Sequence, residues 1–435
     1  MFLLAEYKKK SVGRRKRKAK NLVTEKIPMK TKMPNNAKTE KPQNSNNKKV
    51  QSHPRKNFRI LIGKNHKNKR LFVISAIAVL LILSVIVVSV ALPTGIIEFI
   101  ENRLALVGSG DGFPHNFSSG NSLISVVNGN NRFIAVTPSN IECYNNNGKT
   151  VFSYQHGFNH PIVKSSAERF ILYSQGGTGF SVCNLKKELF DGNTEKTILT
   201  ADISDNGVYA VATQSDSYSS QVTVYDKNNK QMYKWMCADY TINNVAISPN
   251  GHRLAVSVFN TESGRYVSKL YILEYDSATP VSVTDFEDEL ILSLECFGDN
   301  TFYAVFENKV EFYNWKKLST TVYSTDKSVF FVKNSKDTTV IVDGISANKN
   351  KNGITVLNKK GVIKNNFDFE KEIIDVAIYG KYIYILSDRM IYIYNIKGER
   401  INSVECDFGI KNIVPIGRFS VATFKDNEIK KITIG

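Results

Sequence analysis

At 435 residues, 42% hydrophobic and 23% charged, the chain exceeds one ordinary domain, although an all-β architecture can use most of that length as one unit. Its formal +18 is unevenly placed: residues 1–70 hold 23 Lys and Arg against Glu6, Glu25 and Glu40, a net +20, which leaves −2 for the rest. The basic balance belongs to a tail, so the high pI is no argument for a nucleic-acid-binding body.

That tail opens with "KKKSVGRRKRKAK" (Lys8–Lys20) and continues through an Asn/Lys/Pro stretch, Pro28–Asn68. It holds too few apolar residues to offset the entropy of folding, and residues 1–70 are expected to be disordered. Residues 71–92, "LFVISAIAVLLILSVIVVSVAL", follow without a charge, Pro or Gly. As a helix the run spans roughly 33 Å, enough for a bilayer core. A core helix would carry a polar stripe, whereas this run has only Ser75, Ser84 and Ser89. A cleavable signal would be shorter and nearer the N-terminus. A single transmembrane helix is the expectation.

Orientation follows from the flanks. Arg55, Lys56, Arg59, Lys64, Lys67, Lys69 and Arg70 precede the run, and Glu98, Glu101 and Arg103 follow it. By the positive-inside rule the N-terminus is cytoplasmic and everything after Pro93 lies outside. The seven basic residues are also candidates for the membrane surface, where each contributes about 1 kcal/mol against anionic headgroups. No nucleic acid is expected as a partner. A nuclear-membrane protein using "RRKRK" as a localisation signal is the competing topology.

Residues 93–111 read as a juxtamembrane helix and a hinge: Ile96, Ile97, Ile100 and Leu104 share one helical face, and "GSGDGFP" (Gly108–Pro114) is Gly-rich. From residue 112 to 435 the period changes to 2, in β-branched and aromatic runs such as "QVTVYD" and "MIYIYN" bounded by turn residues. A phrase of alternating apolar residues, then Tyr, Cys or Leu, then Asn or Asp recurs. Its fourth positions are Tyr144, Cys183, Tyr225, Tyr275, Tyr313, Leu357 and Tyr394, spaced 39, 42, 50, 38, 44 and 37 residues apart. A second phrase, "DISDNGVYAVAT" from Asp202, returns as "AISPNGHRLAVS" from Ala246. Four antiparallel strands every ~40–45 residues mark propeller blades. Seven units run from about Ser122 to Phe408, and a three-strand remainder needs a fourth strand that residues 112–118 can supply. The fold class is therefore all-β, an eight-bladed propeller with seven blades as the alternative.

The "SPNG" and "SDNG" turns resemble the Ser-Pro-Asp-Gly hairpin of WD40-like and TolB-like propellers. With "GDGFP", "YQHGF" (Tyr154–Phe158) and "SYSSQVTVYD" (Ser217–Asp226), residues 71–435 resemble a clostridial family of membrane-anchored propellers of unknown function. The resemblance implies a low-GC Gram-positive source and no particular activity.

Reactive constellations are sparse. Cys143, Cys183, Cys237, Cys296 and Cys406 include no CxxC and are expected as buried thiols. His156 and His160 are four apart, but on turns rather than a helix. "DFEDE" (Asp285–Glu289) is expected on an inter-blade loop, and Asp285, Glu287, Asp288 and Arg265 are candidate partner-binding loop residues. Trp235 and Trp315 alone do not make the Trp repeats of a quinone-dependent propeller. No catalytic, metal or cofactor-binding residue is expected. The function expected is a non-catalytic binding or scaffolding module of the cell envelope, with a protein or wall-polymer partner; a propeller-type hydrolase or dehydrogenase with its site in the channel is the alternative.

Overall fold

The computed structural model describes residues 66–91, 94–118, 120–129, 131–277, 279–345 and 348–435. The chain divides into two units, 1–75 and 76–435. Arg55, Lys56, Arg59 and Lys64 lie outside the described residues, as do the side chains of Lys67, Lys69 and Arg70. The apolar run lies in helix α1 (His66–Ala91), except Leu92, which is outside the described residues. Among the described residues no helix is long and apolar enough to cross a membrane.

Helix α2 (Thr94–Ala105) precedes a body in which every described regular element is a strand. The strands form eight separate four-stranded antiparallel sheets. Blade 1 is Ser125–Gly129, Arg132–Val136, Asn140–Asn145 and Thr150–Gln155. Blades 2 to 7 repeat this order over 161–193, 198–237, 241–287, 293–324, 328–369 and 375–405. The first strands of successive blades touch one another, so they line the centre. Blade 8 contains Asn412–Gly417, Ser420–Phe424 and Glu428–Thr433, and its outermost strand is His115–Asn116 from the other end of the domain. His115 pairs with Ile429 and Asn116 with Glu428, which closes the ring. Eight blades, not seven, and the strand donated from residues 112–118 agree with the sequence.

Apolar packing is concentrated between blades. Eight clusters fill the eight blade-to-blade interfaces. The closing one joins Phe133, Ala135 and Tyr144 of blade 1 to Ile416, Phe424 and Ile429 of blade 8. Arg132, 1% exposed, crosses from blade 1 to blade 2, donating to Ala167 O at 2.7 Å, Ser166 O at 2.5 Å and Ser165 Oγ at 3.2 Å.

The recurring Asn or Asp now has a physical role: it closes the turn between the third and fourth strands. Asn145 Oδ1 accepts from the backbone N–H of Asn147 and Lys149, both at 2.9 Å, and Asp226, Asn358 and Asn395 do the same in their own blades. These are Asx turns. The turns between first and second strands also join around the ring: Asp205 Oδ1 accepts from Ala167 N at 2.8 Å, Asn206 Nδ2 donates to Asn250 O at 2.6 Å, and Asn250 N donates to Asp299 Oδ1 at 3.0 Å.

The segment expected as a juxtamembrane helix is held along its length. Arg169 donates to both Glu98 oxygens, at 2.8 and 2.6 Å, and Asn102, fully buried, donates to Glu168 O at 3.1 Å. The Lys149 ammonium meets the C-terminal carbonyls Ala105 O and Val107 O, where a cation suits the helix dipole. Asn145 Nδ2 holds Leu106 O and Gly108 O.

Candidate functional site

Propellers offer one concave place shared by every blade, the channel between their innermost strands. Here that channel holds a cavity of about 700 Å³, lined by Asn128, Lys164, Asp202, Glu295, Lys333 and Asn334 among others. It continues into a mouth of about 590 Å³ bounded by Asn131, Ala167, Lys336 and Tyr379, at turns joining first and second strands.

The charged residues sit one to a blade, each interrupting an otherwise apolar inner strand: "IVKS", "LTADI", "SLEC" and "VFFVKNS". Alternation aims one face of a strand at the centre, so a polar residue there avoids the inter-blade core. Burial pushes the Asp202 carboxyl up to about 6; the Lys164 ammonium and the N–H groups of Ile247 and Ile203 oppose that rise, and Glu295 adds to it. Burial pulls the Lys164 ammonium down, but the attraction of Asp202 and Glu295 outweighs it and leaves the group above its ordinary value.

Two of the acids also fasten blades. Asp202 Oδ2 accepts from Ile247 N of blade 4 at 2.8 Å, and Asp375 Oδ2 accepts from Ile413 N of blade 8 at 3.0 Å. Glu295 accepts from Tyr303 OH, which accepts from Asn334 Nδ2 at 2.6 Å, which in turn is held by Thr339 Oγ1 at 2.9 Å. Lys333 Nζ lies 3.6 Å from Asp375 Oδ1. The Cys296 thiol is pushed well up by burial and then by Asp202, Glu295 and Asp299, so it stays protonated and weakly nucleophilic. The result is a polar, mixed-charge cavity with oriented donors and acceptors. Its chemistry suits holding a polar or zwitterionic chain.

The profile of the Family of unknown function (DUF5711) matches residues 115–434, from the strand that closes the ring to the end of blade 8. The chain belongs to DUF5711. No functionally curated protein matches it. Among solved structures, BamB from Moraxella catarrhalis is similar at 11% identity and a TM-score of 0.47, over 73% of this chain and 99% of that one. Apo AztD from Citrobacter koseri is similar at 10% identity and a TM-score of 0.48, over 72% and 90% respectively.

In this DUF5711 propeller "DFEDE" is divided: Asp288 and Glu289 begin the inter-blade loop, as expected, but the residues before them do not lie on it. Asp285 and Glu287 lie on the outermost strand of blade 4, Ser282–Glu287, which buries Phe286 between them. The cause is the long insertion before it, which forms strands Arg253–Glu262 and Arg265–Glu274 and gives the acids a partner strand. Lys269 Nζ meets Asp285 Oδ1 at 2.9 Å, and Arg265 Nη1 meets Asp288 Oδ2 at 3.3 Å. The four residues thus lie on one exposed hairpin edge, where charges keep a strand edge from pairing with other chains.

The five cysteines are free; four are buried and Cys296 is half-buried. His156 is buried and bonds Thr137 O at 3.2 Å, whereas His160 lines an open groove between blades 1 and 2. Among the described residues no three His, Cys, Asp or Glu converge to hold a metal ion. Lys164, Asp202, Glu295 and Lys333 were missed by sequence reasoning, although a single charge in the apolar first strands of blades 2, 3, 5 and 6 was the available signal.

Proposed function

We propose that this DUF5711 protein is a membrane-anchored, extracytoplasmic propeller acting as a non-catalytic binding or scaffolding module in the cell envelope. In this reading residues 71–92 cross the membrane, the basic residues from Arg55 to Arg70 rest on the cytoplasmic leaflet, and the propeller presents its channel and hairpins to a protein or wall polymer outside. The low-GC Gram-positive source and the WD40-like or TolB-like kinship of the hairpins belong to the same reading. The observation that carries it is the attachment of α2: Glu98, Asn102 and Lys149 tie the segment after the apolar run to blades 1 and 2. A propeller held this way is a platform of set orientation. Apart from Ser75 and Ser84, the described side chains of α1, such as Phe72, Leu80 and Leu83, are apolar and exposed on all sides, which calls for a lipid or protein surround.

The test places a photo-crosslinking residue at Asn334 in the full chain, in its native membrane. A discrete adduct that disappears in the Lys164→Gln, Asp202→Asn double variant supports the reading. Irradiation that yields no adduct refutes it. The enzymatic alternative is favoured by the raised carboxyl of Asp202 beside Lys164 in the channel, since perturbed groups cluster at reactive sites. Turnover of an envelope-derived ester or glycoside by the purified chain, abolished in Asp202→Asn, would select it.

A further inference from the structure

The near-neutral body conceals two faces of opposite charge. In each blade the turn after the first strand and the turn after the third point to one face, and the remaining connections point to the other. The first face carries Lys187, Lys230, Lys317, Lys360, Lys381 and Lys397, all exposed and, among the described residues, without an ion-pair partner. Of the acids on this face, Asp205, Asp226 and Asp299 accept turn N–H groups and Asp337 pairs with Lys359 at 3.2 Å, while exposed Asp276 is outnumbered by the lysines. The opposite face exposes Asp239, Glu307, Asp326, Glu370 and Asp388.

Helix α2 lies on the lysine face, bound to Glu168 and Arg169 beside the first turn of blade 2 and to Lys186 in its third. It is mounted with its polar side inward. Asn102 is buried and Glu98 half-buried, while Ile96, Phe99, Ile100, Leu104 and Val107 are 42–66% exposed. Two residues separate α2 from the apolar helix α1.

We infer that this lysine-bearing face, with the apolar side of α2, docks flat on an anionic lipid surface. The occupant is fixed by three observations: the apolar run lies next to α2 in the chain, the uncovered helix side has the stripe of an interfacial helix, and unpaired lysines of blades 2, 3, 5, 6 and 7 stand on the same face while Asp239, Glu307, Asp326, Glu370 and Asp388 face away. The inference rests on the proposed anchor and deepens it. It assigns the propeller a posture, with the channel mouth near Lys336 and Tyr379 turned to the headgroups, and the opposite end of the channel and the blade 4 hairpin turned outward to the partner.

The experiment reconstitutes the full chain in vesicles of phosphatidylcholine alone or with phosphatidylglycerol, carrying nitroxide-labelled headgroups. A fluorophore is placed at Lys317→Cys, Lys360→Cys or Glu307→Cys, and the parent chain, with buried or half-buried thiols, serves as blank. The expected result is quenching at 317 and 360 but not at 307, only with anionic lipid, and released by salt. Each further Lys→Gln change on that face should weaken docking about fivefold, the ~1 kcal/mol a lysine contributes near such headgroups. A chain that floats with both vesicle types yet shows equal quenching at all three positions overturns the docking and leaves the anchor standing. A chain that floats with neither overturns both. Labels protected by a soluble polyanion but never quenched by lipid overturn the assignment to lipid.

Discussion

Arg132→Met removes the buried guanidinium that joins blade 1 to the first turn of blade 2. Three hydrogen bonds disappear, at 2.7, 2.5 and 3.2 Å, and the carbonyls of Ala167 and Ser166 lose a charged donor. A buried acceptor left unpaired costs about 1–3 kcal/mol. Against this, the change removes a desolvated charge whose Nε has no partner, and an apolar side chain of similar length can recover part of the loss. The net expectation is destabilisation by roughly 2–4 kcal/mol, and by about half that for Arg132→Lys, whose single ammonium reaches one carbonyl. For a domain of this size that lowers the thermal midpoint by about 3–6 °C. Thermal unfolding followed by tyrosine and tryptophan fluorescence measures it. A midpoint for Arg132→Met equal to or above the parent's would refute the role of Arg132 as an inter-blade latch.

Three further predictions follow from the same geometry. Asp202 has its carboxyl raised to about 6, so in the folded state it holds a proton that the unfolded chain has released; its ionised form opposes folding, and stability falls as pH rises from about 4 to 6, by on the order of 3 kcal/mol. Asp202→Asn, which keeps an acceptor for Ile247 N–H, should flatten that part of the urea-midpoint profile, and an unchanged profile would contradict the assignment. Glu98 has the opposite sign: burial would raise its carboxyl, but the Arg169 hydrogen bond and charge hold it below the ordinary value, so its contribution is lost as pH falls below the usual carboxylate range. Arg169→Ala should therefore release α2 and speed proteolytic cutting around Gly108–Gly112 about tenfold or more, as expected for the loss of at least ~1.4 kcal/mol, whereas equal cutting rates would show that the pair does not hold the helix. Gly251 has φ +68°, and a Cβ there would fall 2.4 Å from Asn206 Oδ1, while Gly264, φ +79°, has open space around it. Gly251→Ala should cost about 2–3 kcal/mol and Gly264→Ala about 1, so equal melting points for the two would argue against contact between the turns of blades 3 and 4.

Blade number and closure were legible because they rest on local signals repeated many times. Asn145, Asp226, Asn358 and Asn395 each close their own turn, so the phrase they terminate marks every third strand. The strand at His115 could be inferred because three remaining strands leave an edge. The attachment of α2 was not legible, since Arg169 and Glu98 are 71 residues apart and nothing local links them. The channel charges were hidden among apolar strands, and Asp285 was misplaced because the long insertion before it reads as loop until its hairpin pairs. The two charged faces were hidden by summation: turns of the two faces alternate along the chain, so Lys317 and Glu307, or Lys381 and Asp388, cancel in any window of sequence. Only the alternation of antiparallel strands separates them.

Topology in living cells tests the central claim most directly. A membrane-impermeant maleimide is applied to intact cells carrying Glu307→Cys on the face turned away from the lysines, or Ser11→Cys in the basic tail. The account predicts labelling at 307 in intact cells and at 11 only after the membrane is opened. Labelling at 307 that appears only after lysis would contradict it.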